Sequence, residues 1–140
     1  VDWIGRLVAT PRLVLGVLDG MGSDFGCLVL ETEYWRGMGL PNVLVEGDVG
    51  MVADLVAATS LHAGEVARNP YHLSLPGRMQ DAVRRGAELV GGQGGEAPRF
   101  AFGELYRLRG WRGGEWEEVV GEGEVVGLGE LEEFWGRLLT

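Results

Sequence analysis

The segment of this chain best suited to chemistry lies between Asp19 and Asp24, where carboxylates alternate with glycines. Aspartate carboxylates are hard oxygen ligands for Mg²⁺, and glycine lets the backbone approach a bound group closely. Asp48 or Glu46, after a later apolar segment, would complete a cation site. The alternative is a polar turn in which the aspartates bond to neighbouring amides. The candidate ligand-binding residues are Asp19, Gly20, Gly22, Asp24 and Asp48.

The segment HAGEVARNPYH holds a second candidate site, for a metal. His62 and Glu65 are one helical turn apart, and His72 follows beyond a predicted helix break. Two imidazoles and a carboxylate could converge there on zinc or another transition metal. His62 also falls on an apolar helical stripe, which favours a packed histidine with one satisfied nitrogen, and His72 would then be a loop residue.

Parts of the chain resemble two known enzyme families. VLDGMGSDFG at residues 17–26 is similar to the glycine-rich first motif of class I S-adenosylmethionine methyltransferases. GLPNVLVEGD at 39–48 resembles their later segment that ends in an acidic residue, and ADLVAATSLH at 53–62 resembles the strand that follows. This resemblance implies an adenosyl cofactor at the glycine-rich turn. Asp19, seven residues before Gly26, also resembles the first hairpin of ribonuclease-H-like nucleases, where the aspartate binds a metal.

The composition predicts one soluble globular domain over residues 1–140, since 46% of the residues are hydrophobic and 24% are charged. The sequence contains no lysine, which excludes a Walker-type lysine, a Schiff base and a lysine general base from these residues. A formal charge of −9 argues against sequence-independent binding of nucleic acid. The single cysteine, Cys27, excludes zinc held by several thiolates. We expect no membrane span, a cytoplasmic location and a thermophilic source.

The elements that must position these residues follow from apolar spacing and from glycine and proline. A short helix capped by Asp2 ends at Pro11, and strands at 13–18 and 27–33 enclose the aspartate turn. Asp48 is a plausible N-cap. Further strands are predicted at 43–45, 99–108 and 116–120, the last two forming a hairpin, and further helices at 49–67, 74–90 and 128–139. This order favours an α+β fold with an antiparallel or mixed sheet; the alternative is an α/β Rossmann-like fold.

Aromatic residues and arginines alternate between residues 99 and 112, a pattern with two readings. They could form a stacking surface for single-stranded nucleic acid, or core aromatics beside a solvated, salt-bridged face. Neighbouring glutamates cancel the positive charge, which favours the second reading. Trp35 and Trp111 fall in loop-like contexts, where an exposed ring would mark a binding or dimer surface.

No catalytic set in the sequence is complete, and the apolar content is sufficient for a core and a surface patch. We therefore expect a non-enzymatic association or ligand-binding module that acts as a homodimer, with a small molecule as a further partner and without nucleic acid or membrane. The order of elements has a fold-level similarity to small profilin-like or roadblock-like sandwiches. The alternative is an enzyme at the Asp19–Gly26 turn, either methyltransferase-like or a divalent-metal-dependent hydrolase; the sequence identifies no particular cofactor.

Overall fold

The computed structural model describes residues 3–33, 37–92 and 94–139, and it divides the chain into two compact units. The first unit comprises Val1–Val29 and Arg109–Val119, and the second comprises Leu30–Leu108 and Val120–Thr140. The described residues form five α-helices, one short 3-10 helix and a five-stranded mixed sheet. The predicted α+β class is confirmed, whereas the single domain expected for residues 1–140 stays a prediction.

The bounds of the elements are as follows. The α-helices are α1 Trp3–Asp19, α2 Val49–Ser60, α3 Ala63–Arg68, α4 Tyr71–Leu89 and α5 Leu131–Leu138. The strands are β1 Gly26–Thr32, β2 Val43–Gly47, β3 Phe102–Arg112, β4 Glu115–Glu117 and β5 Glu124–Val126, and a 3-10 turn at Leu128–Glu130 leads into α5. Among the described residues, no helix is both long enough and apolar enough to cross a membrane.

The sheet has the strand order β1-β3-β2-β5, and β4 pairs with β3. β2 runs antiparallel to β3, with Val43 opposite Tyr106, and parallel to β5. β3 and β4 form the predicted hairpin, which turns at Gly113 and Gly114 with φ values of +60° and +94°. Such positive φ values favour glycine, which has no Cβ to clash. β5 was not predicted, because a three-residue strand gives too short a pattern to recognise.

The core of the second unit lies where α4 packs on β2 and β3. Leu44, Ala82, Val90 and Leu105 are buried in one cluster. A Cβ added at Gly86 of α4 would lie 2.8 Å from Leu44 Cδ2, so the absence of a side chain there sets how closely the helix approaches the sheet. The helix predicted at 74–90 is therefore confirmed, and it begins three residues earlier than its predicted start at Ser74.

The first unit corrects the prediction for the segment that precedes the aspartate turn. Residues 13–18 belong to α1 and not to a strand, and Pro11 lies inside that helix instead of ending it. A short apolar run fits a buried strand and a helix equally well, which is why the sequence pattern misled. The strand predicted at 27–33 is confirmed as β1, and Cys27 lies half-buried within it.

Four further expectations need correction. The helix predicted at 49–67 is two helices, because α2 ends at Ser60 and α3 begins at Ala63. His62 lies in this break and is exposed, so its predicted packing on an apolar stripe is wrong. His72 lies in α4 and not in a loop. Trp111 is buried in β3 and not exposed in a loop, and Trp35 lies outside the described residues.

Candidate functional site

The aspartates and glycines of the first candidate site follow a helix. Asp19 ends α1, and the backbone N–H of Gly20 donates to the carbonyl of Val17 at 3.0 Å. The side chains of Asp19 and Asp24 are exposed, and the hydroxyl of Ser23 lies 3.5 Å from a carboxylate oxygen of Asp24. The segment therefore runs helix, turn, strand, whereas the sequence pattern predicted a strand on both sides of the turn.

Asp48 belongs to the second unit and has a local structural role. As predicted, it is the N-cap of α2: its carboxylate accepts a hydrogen bond of 2.7 Å from the backbone N–H of Met51. This bond satisfies one of the N–H groups that the first turn of a helix leaves without a partner. Binding of a ligand or cofactor at Asp19, Gly20, Gly22, Asp24 and Asp48 stays a prediction.

The residues of the second candidate site have separate surroundings. Glu65 accepts a hydrogen bond of 2.5 Å from Arg68, one turn further along α3. His72 is half-buried in α4, and its Nδ1 is buried without a hydrogen-bond partner. Within residues 3–33, 37–92 and 94–139, no three His, Cys, Asp or Glu side chains are grouped so that they could hold a metal ion.

The aromatic residues of the β3–β4 hairpin pack on one another. Trp111 and Trp116 meet edge to face with ring centroids 5.0 Å apart, and the guanidinium of Arg109 lies 3.8 Å from the centroid of Trp116. Arg112 pairs with Glu117 across the hairpin at 3.4 Å. These contacts agree with the interpretation of core aromatics beside a salt-bridged face.

A concave feature of the second unit was not predicted. It is a cavity of about 530 Å³ between the N-terminal half of α4, the end of β1 and the backbone of β3. We call it the α4 cavity. Its apolar wall consists of Leu75, Met79, Ala82 and Leu105, and glycines 37, 77 and 103 also line it. Cavities of this size, mostly apolar with a few converging polar groups, are typical of small-molecule sites.

An ion pair between Glu33 and Arg85 forms the charged wall of the α4 cavity. Nη1 and Nη2 of Arg85 donate to the two carboxylate oxygens of Glu33 at 2.6 and 2.5 Å, and the backbone N–H of Met38 donates to the same carboxylate at 2.5 Å. The side chains of Arg85 and Glu33 are only 22% and 12% exposed. Such a two-pronged arrangement fixes the guanidinium plane as well as its position.

The electrostatics of this pair follow from burial and hydrogen bonding. Burial raises the pKa of Glu33, but the hydrogen bonds from Arg85 and Met38 outweigh it, with a further contribution from the charge of Arg78. The pKa of Glu33 therefore lies below its usual value. The same pairing raises the pKa of Arg85, so both groups are charged at neutral pH.

A third acidic group joins the network from α4 itself. Nε of Arg85 donates to one oxygen of Asp81 at 2.9 Å, and Nε of Arg84 donates to the other at 3.0 Å. These hydrogen bonds lower the pKa of Asp81. Asp81 lies three and four residues before Arg84 and Arg85, a spacing at which helical side chains meet. Glu33 lies 52 residues from Arg85, so no local pattern marks that pair.

Comparison with known proteins identifies no family for this chain. No family model, curated protein or solved structure matches this chain. The functional argument therefore rests on the geometry of the described residues.

Proposed function

We propose that this chain is an association module that forms a homodimer through an exposed apolar stripe on α1. The stripe consists of Leu13, Val14, Val17 and Met21, whose side chains are 68%, 47%, 62% and 40% exposed. Val14, Val17 and Met21 follow Leu13 by one, four and eight residues. All four side chains therefore lie on one side of the helix and of the turn that continues it. This exposed stripe is the observation that supports the proposal.

Arg12 and Asp19 of α1 lie outside the stripe. At 100° per residue, Arg12 and Asp19 lie about 100–160° around the helix from Leu13 and Val17. Leu18, which is buried near the end of α1, lies about 40° around the helix from Val14, at the edge of the stripe. A continuous apolar surface of this kind on a small protein is a typical interaction site, because burying it removes apolar area from water.

A second copy is the partner that this surface fits best. An apolar helical stripe is complementary to itself, since two such stripes can interdigitate about a two-fold axis with the same residues on both sides. The stripe offers no charge that would select a partner of opposite sign. Leucine and valine side chains of one copy can pack on those of the other.

Sedimentation velocity over a range of concentrations tests this proposal. We expect the unmodified chain to sediment as a dimer and Val17→Glu to sediment as a monomer, because dimerisation would bury two charges without partners. The matched control is Leu61→Glu at the break between α2 and α3, which introduces the same charge at a side chain that is 83% exposed. It should leave the dimer intact. A monomeric unmodified chain, or loss of the dimer in both variants, would overturn the proposal.

A further inference from the structure

The α4 cavity carries an inference that is independent of association through α1. Its described lining residues all belong to the second unit, whereas the apolar stripe of α1 belongs to the first. Leu75, Met79 and Leu105 give the cavity an apolar wall, and its volume of about 530 Å³ is sufficient for a small molecule. The charged residues of the lining then decide which class of molecule the cavity takes.

Two acidic residues of the lining already have basic partners. Glu33 accepts hydrogen bonds from Nη1 and Nη2 of Arg85 and from the backbone N–H of Met38. Asp81 accepts hydrogen bonds from Nε of Arg85 and from Nε of Arg84. A cationic ligand would therefore have to displace an arginine from one of these carboxylates.

The other charged residues of the described lining, Glu104 and Arg78, are engaged as well. The carboxylate of Glu104 accepts a hydrogen bond from the hydroxyl of Tyr106. Arg78 interacts with other groups of the chain, and its positive charge stabilises the carboxylate of Glu33. An anionic ligand would therefore compete with the carboxylates of the chain for its arginines.

The charges at this wall sum to zero. The described lining carries two positive and three negative side chains, and the third positive charge comes from Arg84, which bonds to Asp81 without lining the cavity. An ion that moved from water into the cavity would lose hydration, and among the described lining residues it would meet no charge in excess. The balance of charge therefore favours an uncharged ligand.

Neutral hydrogen-bonding groups adjoin the apolar wall. A guanidinium has five N–H groups, and Arg85 uses three of them in its described bonds to carboxylates, so two can donate to a ligand. The hydroxyl of Ser74 donates to the carbonyl of Tyr71, and its oxygen can accept a further bond. Thr32 adds a second hydroxyl to the lining. A carboxamide, which both accepts and donates without a charge, matches these groups.

We propose that the α4 cavity binds an uncharged small molecule that joins an apolar body to a carboxamide group. The body lies against the apolar wall, and the carboxamide lies beside Arg85 and Ser74. The absence of charge on the ligand is the distinguishing feature, because a carboxylate at this place would lie next to Glu33 and Asp81, and an ammonium group would lie next to Arg85.

An NMR titration of the backbone amide signals with three related compounds tests the class of ligand. Phenylacetamide is neutral, whereas phenylacetate is an anion and phenethylammonium is a cation of nearly the same size. We expect saturable shifts at Gly77 and Gly103 with phenylacetamide, with a dissociation constant on the order of 1 mM. Both ions should bind at least about tenfold more weakly. Equal affinity for either ion would refute the neutral class, and no saturable binding of phenylacetamide would refute the site.

A matched pair of variants locates the site. Gly77→Leu adds a side chain to the cavity lining, at a position where a new Cβ meets nothing within 4 Å, so the fold tolerates the change. Gly136→Leu makes the same change on α5, where a new Cβ likewise meets nothing. We expect Gly77→Leu to weaken phenylacetamide binding at least about tenfold and Gly136→Leu to keep it within about threefold.

Retention of phenylacetamide binding by Gly77→Leu would place the ligand elsewhere and overturn the proposal. Loss of binding in both variants would do the same, because the effect would then not be specific to the cavity. Neither variant changes α1, so these results are separate from the oligomeric state measured by sedimentation.

Discussion

The side-chain amide of Asn42 pairs with both backbone groups of Leu108. Nδ2 of Asn42 donates to the carbonyl of Leu108 at 2.8 Å, and the N–H of Leu108 donates to Oδ1 of Asn42 at 2.7 Å. The backbone of Asn42 also accepts from Glu124 N–H at 2.9 Å and donates to the carbonyl of Tyr106 at 3.0 Å. One residue before β2 therefore joins this strand to both of its neighbours, β3 and β5.

Asn42→Ala should lower the free energy of unfolding by about 2–4 kcal/mol, because it leaves the buried N–H and C=O of Leu108 without partners. Urea denaturation gives this value, provided that the slope is unchanged. Asn42→Asp is the informative comparison, since a carboxylate still accepts from Leu108 but cannot donate to it. We expect Asn42→Asp to have a lower free energy of unfolding than the unmodified chain. A loss below about 0.5 kcal/mol for Asn42→Ala would show that water replaces the amide.

Glu33→Gln should reduce stability at neutral pH and flatten its dependence on acid pH. The pKa of Glu33 is lower in the folded chain than in the unfolded chain. Its contribution is therefore complete above the unfolded value of about 4.3 and is lost as the pH falls through the folded pKa. We expect Glu33→Gln to cost about 1–3 kcal/mol at pH 7, because it leaves the partly buried guanidinium of Arg85 with a neutral partner.

The exposed pair of Glu65 and Arg68 supplies the control for this prediction. Glu65→Gln breaks an ion pair of the same 2.5 Å length whose side chains are about half exposed to solvent. It should change stability much less, since exposed ion pairs are screened and weak. Denaturant midpoints of both variants between pH 3 and pH 7 check the comparison; parallel curves for Glu33→Gln and the unmodified chain would contradict it.

Gly86→Ala should destabilise the chain relative to Gly77→Ala on the same helix. An added Cβ at Gly86 would lie 2.8 Å from Leu44 and 3.1 Å from Leu105, both buried, whereas at Gly77 it would meet nothing within 4 Å. Both changes gain about 1 kcal/mol of helix propensity. Forcing the core apart costs about 1–3 kcal/mol at Gly86 alone. Thermal denaturation of the two variants measures the difference, and equal melting temperatures would be inconsistent with this packing.

The hydroxyl of Tyr106 should ionise only at strongly alkaline pH. Burial raises its pKa first, and the hydrogen bond to Glu104 and the charge of that carboxylate raise it further, above the usual value of about 10. The neutral phenol therefore stabilises the fold below about pH 10, and this contribution is lost as the pH rises further. Tyrosinate absorbance against pH should show one late step that Tyr106→Phe removes.

Glu104→Gln separates the two causes of this shift. It removes the carboxylate charge and leaves the burial of Tyr106 in place, so the late step should move to lower pH without reaching the usual value of about 10. A late step that does not move in Glu104→Gln would mean that burial alone sets the pKa of Tyr106.

The sequence by itself determined the α+β class, the presence of the helix α4, the N-cap at Asp48 and the β3–β4 hairpin. Each depends on spacing or capping within a short segment, so local physical chemistry was enough. The sequence did not determine whether residues 13–18 form a strand or a helix. Both conformations accommodate a short apolar run, and interactions beyond the run make the choice.

Only the tertiary structure brought Glu33 to Arg85, Asn42 to Leu108, and the apolar wall of the α4 cavity together. The first two pairs are separated by 52 and 66 residues, and their members have no spacing that marks them as partners. Contacts between distant segments depend on how α4 packs on the sheet, which Gly86 sets through the absence of a side chain. A pattern in one segment does not contain that information.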